Sequence, residues 1–228
     1  MNPAEMKAFA EQHGAFETDP WAADAILRVE IMTPIVLDPC CGTGILAAAA
    51  RKAGYKVHTW DIVDWSKHLP CPSPDMVVDF FERTIAEDYS RDLFEEDFTV
   101  YMNPPFHLAC EFVDRAKELG ARKIISFQRW AWRESIGRRQ WWADNPPART
   151  WICGERATCW RFDVPNTCVG PENCGKGKGR GVDAIKCREC MAGSPTSHGF
   201  FVWEKGHRGA ESIGDLWKND SPADWITP

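Results

Sequence analysis

Five short runs of β-branched and aromatic residues, interleaved with stretches of helical spacing, set the strongest limit on what this chain can become. Residues 35–37 (IVL), 55–60 (YKVHTW), 76–80 (MVVDF), 98–102 (FTVYM) and 123–127 (KIISF) read as strands. Helices are expected over residues 45–53 and 108–119, and the first fifteen residues are polar and helix-like. Strands separated by helices pair parallel, because a parallel pair needs a crossover that no hairpin can supply. The expected class is therefore α/β, a sheet with helices on both faces. Beyond Gln128 a Trp- and Arg-rich segment reads as a helix to residue 143, stopped by Asn145-Pro146-Pro147. Residues 149–160 read as a sixth strand and residues 199–204 (GFFVWE) as a seventh, with a short docked helix and an irregular end expected from Arg208 on. Residues 165–198 carry many Gly, Pro, Cys and Lys and little that can be buried, so they read as an insertion into a domain formed by residues 1–164 and 199–228.

With 228 residues, 44% of them hydrophobic and 26% charged, the chain suits one globular domain and excludes a disordered or fibrous protein. No apolar run approaches the ~20 residues of a membrane span, and the N-terminal stretch has no signal-peptide core. A cytoplasmic protein is expected, its ten cysteines serving as thiols or metal ligands. The net charge of -6 is unevenly spread: residues 1–119 hold 10 Lys and Arg against 21 Asp and Glu, whereas residues 120–190 hold 14 against 7. A basic stretch in an acidic chain marks either a solvated surface or a face that meets a polyanion.

Four motifs sit at strand ends, where an open α/β sheet binds its ligands. Asp38-Pro39-Cys40-Cys41-Gly42-Thr43-Gly44 joins the first strand to its helix; Gly42 and Gly44 permit a tight turn close to a ligand, and Asp38 is placed to accept from a cationic group. Asp61, followed by Ile62, ends the second strand at the distance where a carboxylate binds ribose hydroxyls. Asp79-Phe80 ends the third with a polar group and an aromatic face. Asn103-Pro104-Pro105-Phe106 follows the fourth directly. Its two prolines fix the backbone, so the Asn103 side chain and the Pro104 carbonyl form a set pair of acceptors beside the ring of Phe106. Such a pair suits a planar base with an exocyclic amine. A Gly-rich match at residues 170–176 to a triphosphate-binding loop is accidental, since Gly177 stands where Ser or Thr is needed and no strand precedes it.

Together these motifs resemble the amino-group methyltransferases that use S-adenosylmethionine, above all the adenine-N6 DNA methyltransferases, including small phage-type ones. The resemblance implies a Rossmann-like sheet of seven strands, mostly parallel with an antiparallel last strand. It implies that Asp38, Pro39, Cys40, Gly42, Gly44, Asp61, Ile62, Asp79 and Phe80 hold S-adenosylmethionine. Phe16 and Thr18, in a segment like the one that lines the methionine end in one permutation class, join them, although Asp19 separates Thr18 from Pro20 here. Asn103, Pro104, Pro105 and Phe106 correspond to the catalytic tetrapeptide, and the implied partner is DNA presenting a flipped or single-stranded adenine, in a bacterial or phage-infected cell. An RNA adenine, a cytosine N4 or a glutamine amide offers N–H groups to the same acceptors. A catalytically silent, zinc-containing nucleic-acid-binding module is the reading from another class.

Two further features fit a nucleic-acid partner. Arg129, Arg133, Arg138 and Arg139 alternate with Trp130, Trp132, Trp141 and Trp142, suiting phosphate contacts and base stacking or, for the tryptophans, plain packing. In the insertion, Cys168, Cys174, Cys187 and Cys190 surround Lys176, Lys178 and Arg180 on a basic loop. The Cys-Arg-Glu-Cys pair is a good metal knuckle and the Cys-x5-Cys pair a wide one. A zinc site that orders the insertion and a set of reduced thiols are both open; Cys153 and Cys159 are expected as buried packing.

Overall fold

The computed structural model describes residues 2–82, 96–162, 164, 188 and 196–219. The Asn2 side chain accepts from the Glu5 N–H at 2.9 Å, and the Glu5 carboxylate accepts from the Asn2 N–H at 2.8 Å. This reciprocal cap opens helix α1 (Pro3–Gln12). A two-residue strand β1 (Phe16–Glu17) leads to α2 (Pro20–Val29), whose Pro20 occupies the first turn, where no N–H is required. Then come β2 (Ile35–Asp38), α3 (Ile45–Lys52), β3 (Lys56–Asp61) and β4 (Met76–Val77). β5 (Phe98–Met102), α4 (Ala109–Glu118), β6 (Lys123–Arg129) and α5 (Arg139–Asp144) follow. The last described elements are β7 (Arg149–Cys153), β8 (Trp160–Arg161), β9 (His198–Glu204) and β10 (Ser212–Leu216).

Eight strands make one sheet in the order β4-β3-β2-β5-β6-β9-β7-β10, and β1 pairs antiparallel with β8 outside it. Every neighbouring pair in the large sheet is parallel except those of β9, which runs against both β6 and β7. This is the mostly parallel, Rossmann-like α/β sheet expected, with one strand reversed. Strand periodicity divides its core. Val36, Tyr101, Ile125 and Phe200 face the layer of α2 and α3, while Leu37, Val100, Ile124 and Phe201 face α4 and the Trp-rich segment. α4 carries Ala109, Phe112, Val113 and Ala116 on its buried side, the i, i+3, i+4, i+7 stripe of a helix laid on a sheet. Among the described residues no helix is long and apolar enough to cross a membrane.

Several expectations are corrected. The tail after Arg208 forms strand β10, paired parallel with β7, and not a docked helix. It sits at an edge, with Leu216 buried and Ile213 61% exposed, so its alternation is too weak to read. The segment after Gln128 is not one helix: β6 runs on to Arg129, and two 3₁₀ turns (Trp130–Arg133 and Ile136–Arg138) precede the short α5. Ser135 and Gly137 interrupt it, and the breaks let four tryptophans reach one aromatic layer. The strand expected over residues 149–160 ends at Cys153, and its last residue starts β8. The third strand stops at Val77, leaving Asp79 and Phe80 in the loop beyond it. Residues 165–187 and 189–195, with all four knuckle cysteines and Lys176, Lys178 and Arg180, lie outside the described residues.

Candidate active site

At the carboxyl ends of β2, β3, β4 and β5 a cavity of about 230 Å³ opens. Its wall includes Phe16, Thr18, Asp38, Pro39, Cys40, Gly42, Asp61, Ile62, Asp79, Phe80, Asn103 and Pro105. The motifs read separately in sequence are thus brought to one place. Gly44 does not line the cavity; it caps α3 in the left-handed region at φ 85°. Pro104 and Phe106 also stand away from this wall.

The cavity holds more acceptor oxygens than its surroundings satisfy. Asp38 is 1% exposed; its Oδ1 accepts only a long bond from the Cys40 N–H at 3.4 Å, and its Oδ2 has no donor. Burial first, and the nearby Asp61 carboxylate, push its pKa well above the usual carboxylate range. Asp61 is held by two backbone donors, Gly42 to Oδ2 at 2.8 Å and Val63 to Oδ1 at 2.9 Å. The Trp65 indole reaches it as a third donor, burial raises its pKa nonetheless, and one lone pair is left for a further donor. The hydroxyls of Thr18 and Thr43 are buried without partners as well. Unpartnered buried acceptors are costly unless a ligand completes them. The set therefore suits a ligand that brings positive charge and hydroxyl or amine donors. Burial, with Asp38 next, also raises Cys40 and Cys41, so neither is a thiolate near neutral pH.

Asn103 is oriented by chemistry alone. The Phe16 carbonyl, which can only accept, lies 3.1 Å from one end of its side-chain amide, so that end is the NH₂. The same NH₂ reaches Cys159 Sγ at 3.7 Å, and burial pushes that thiol up to about 12. Among the described residues nothing donates to Asn103 Oδ1. The Pro104 carbonyl accepts from Gln128 Nε2 at 3.4 Å. Phe106 lies beyond Asn103, its ring 5.7 Å from that of Phe16 and 4.2 Å from the Arg129 guanidinium carbon.

Sequence reasoning missed the roof. The end of α1 and its turn contribute His13, Gly14 and Ala15, and Trp65 and Phe162 close the side. A Cβ at Gly14 would meet Pro105 Cβ at 3.1 Å, and one at Gly42 would meet Phe162 Cζ at 2.6 Å, both where φ is positive. Glycine is required at each position to let the N-terminal segment and Phe162 close on the motifs. Nothing marks Phe162 in the sequence; Trp65, four residues after Asp61, was within reach of the second motif.

The arginines divide. Arg133 is spent on Glu211, with both carboxylate oxygens within 2.7 Å of Nη1, and Arg138 donates to the Trp132 carbonyl. Arg129 and Arg139 are exposed, and their side chains have no hydrogen bond or ion pair among the described residues. Trp130, Trp132, Trp141 and Trp142 pack with Phe201 and Trp203 in one aromatic layer, so packing and not base stacking accounts for them. No group of three or more His, Cys, Asp or Glu that would hold a metal occurs among the described residues.

No protein-family model matches the sequence, and no curated protein matches it significantly. Among solved structures, the chain is similar to a predicted O-methyltransferase from Agrobacterium tumefaciens at 14% identity and a TM-score of 0.48, over 92% of each chain. A provisionally assigned RNA methyltransferase from Pyrococcus horikoshii is similar at 16% identity and a TM-score of 0.38, over 87% of this chain and 84% of the other. The plantazolicin methyltransferase solved with S-adenosylhomocysteine is similar at 11% identity and a TM-score of 0.36, over 55% and 52%. Likenesses this distant say nothing of what this chain binds.

Proposed function

We propose that the protein is an S-adenosylmethionine-dependent methyltransferase that acts on the N6 amine of adenine in DNA. The observation that carries this reading is the Asn103 amide, pinned through its NH₂ and left with a free oxygen, on the wall of a cavity that also holds a buried, unpartnered Asp38 oxygen. When bound, S-adenosylmethionine supplies an electrophilic methyl group on a sulfonium. The residues present fit it: Asp38 and Thr18 would take the cationic amino-acid end, Asp61 the ribose hydroxyls, and Ile62 and Phe80 the faces of the adenine.

The chain's own task is then alignment and electrostatics, with no protein nucleophile. Asn103 Oδ1 accepts one N–H of the target amine. The Pro104 carbonyl keeps a second lone pair beside its bond to Gln128 for the other. Drawing both protons into these bonds turns the nitrogen lone pair out of the ring plane. Phe106 supplies the stacking face, and a base in a duplex has to be flipped out to reach it. An adenine in RNA, a cytosine N4 or a glutamine amide would meet the same acceptors.

The test is incubation with methyl-labelled cofactor and, separately, single-stranded DNA, duplex DNA, RNA and protein, followed by nucleoside and amino-acid analysis. N6-methyldeoxyadenosine as the main labelled product is expected. Label confined to another nucleoside or to glutamine keeps the chemistry and replaces the substrate, and no label in any acceptor defeats the proposal.

A further inference from the structure

Beyond Asn103, outside the cavity wall, several polar side chains gather around Phe106. The Arg129 guanidinium lies 4.2 Å from the centroid of the Phe106 ring, a cation–π contact. Stacked on a ring, a guanidinium presents the flat surface that a base would present. The Arg129 side chain otherwise has no hydrogen bond or ion pair among the described residues, although it is exposed at the end of β6. Opposite it in register stands His198 on β9. The His198 ring is stacked on Phe127 with centroids 5.1 Å apart at 9° and lies 6.4 Å from Phe106. It is 2% exposed, and its ring nitrogens face the backbone carbonyls of Ala157 and Thr196. Next to it, Gln128, also buried, leaves its Oε1 without a donor while its amide holds the Pro104 carbonyl.

We infer that Arg129 is a placeholder in the target slot. It stacks on Phe106 while the slot is empty and gives way to the incoming base. In leaving, it moves its charge to the phosphate beside the flipped nucleotide. This rests on the reading of the protein as a nucleic-acid methyltransferase and adds a recognition device to it: one arginine that excludes solvent from the slot and, once displaced, selects an acceptor carrying a phosphate. Arg133, fixed to Glu211, cannot serve in this way.

The consequence is a pair of changes of opposite sign. In Arg129→Ala the slot stands open, so free adenosine, titrated in the presence of S-adenosylhomocysteine, should bind about 3–10 times more tightly than to the wild type. The phosphate contact is gone, so a fluorescently labelled deoxyadenosine oligomer should bind more weakly, with the slope of log affinity against log salt reduced by about 0.7. Arg129→Lys keeps the charge without the planar group, and should keep the salt slope while still binding adenosine more tightly. Shifts of both ligands in the same direction in Arg129→Ala, or no shift in either, overturn the placeholder. A wild-type protein that binds the cofactor product but neither binds nor methylates any nucleic acid overturns the underlying reading instead.

Discussion

Asp38 has one carboxylate oxygen without a donor and almost no water around it, so its protonation must answer to whatever fills the cavity. Burial raises its pKa in the empty protein; a cationic ligand favours the ionised form and lowers it. Binding then releases a proton between the two values. Affinity for S-adenosylmethionine is therefore expected to rise with pH through the raised pKa and to level off above it, because linkage favours binding wherever the free form holds the extra proton. Asp38→Asn should bind more weakly at high pH and lose that dependence, which calorimetry in two buffers of different ionisation enthalpy would read as proton release. Asn103 behaves differently. Its oxygen is proposed to meet the acceptor and not the cofactor, so Asn103→Ala should lower the rate of transfer by about 10²–10³-fold while changing cofactor affinity little. Single-turnover kinetics beside equilibrium binding separate the two effects, and equal losses in both would place Asn103 in the cofactor site alone.

At the level of the elements, the sheet was readable where β-branched and aromatic runs are unbroken and opaque where packing replaces them. Phe98, Val100 and Met102 on one side and Thr99 and Tyr101 on the other announce β5 from the sequence, and Asn103 comes with it. β10 announces nothing, because it is held by shape. A Cβ at Gly214 would lie 2.4 Å from the Trp151 ring, and one at Gly154 2.6 Å from the Trp217 ring, so the edge strand and its neighbour β7 interlock glycine against tryptophan. That complementarity exists only between paired strands and leaves no periodic signal. Gly214→Val should therefore lift β10 from β7 and cost about 1–3 kcal/mol, seen as a lower midpoint in thermal unfolding, with cofactor binding at the far edge of the cavity preserved. A stability unchanged within error would show that β10 is only loosely laid on the sheet. The same division holds in the site. Strand-end motifs such as Asp38, Asp61 and Asn103 were legible because their chemistry is tied to a strand end. The roof made by Gly14, Trp65 and Phe162 was not, since it depends on where α1 and β8 fold back.

Across the whole molecule the two ends of the sheet do opposite things with charge. The cavity end keeps carboxylates short of partners, whereas the other end satisfies its own completely. There Glu30, 2% exposed, accepts from Arg149 Nε at 2.5 Å, Lys123 Nζ at 2.7 Å and Trp151 Nε1 at 2.8 Å, and Glu204 closes the network from β9. These residues tie α2 to the starts of β6 and β7 and to the end of the reversed strand between them, so the cluster pins the one antiparallel element of the sheet. Arg149 and its neighbours hold Glu204 down to about 2, and Glu30 is also lowered in spite of its burial. For such depressed carboxylates the stabilisation is complete above the ordinary pKa near 4.5 and is lost as pH falls toward the folded value. His198 acts in a higher window. Burial, and Arg129 after it, lower its pKa to about 4 from an ordinary 6.5, so the folded form resists a proton that the unfolded chain accepts. Stability from this group is full above 6.5 and declines toward 4, by at most about 3 kcal/mol. The raised carboxylates Asp38 and Asp61 work against that decline, because the folded protein takes up their protons first. The wild-type curve alone is thus a mixture, and the difference between proteins isolates the histidine. Denaturant unfolding of His198→Phe, whose ring can keep the stack on Phe127, should show stability that depends less on pH between 6.5 and 4 than that of the wild type, with both proteins falling together below about 4.5 as Glu204 and Glu30 begin to protonate. Parallel curves through the upper window would mean that His198 is protonated in the fold, held by the carbonyls of Ala157 and Thr196.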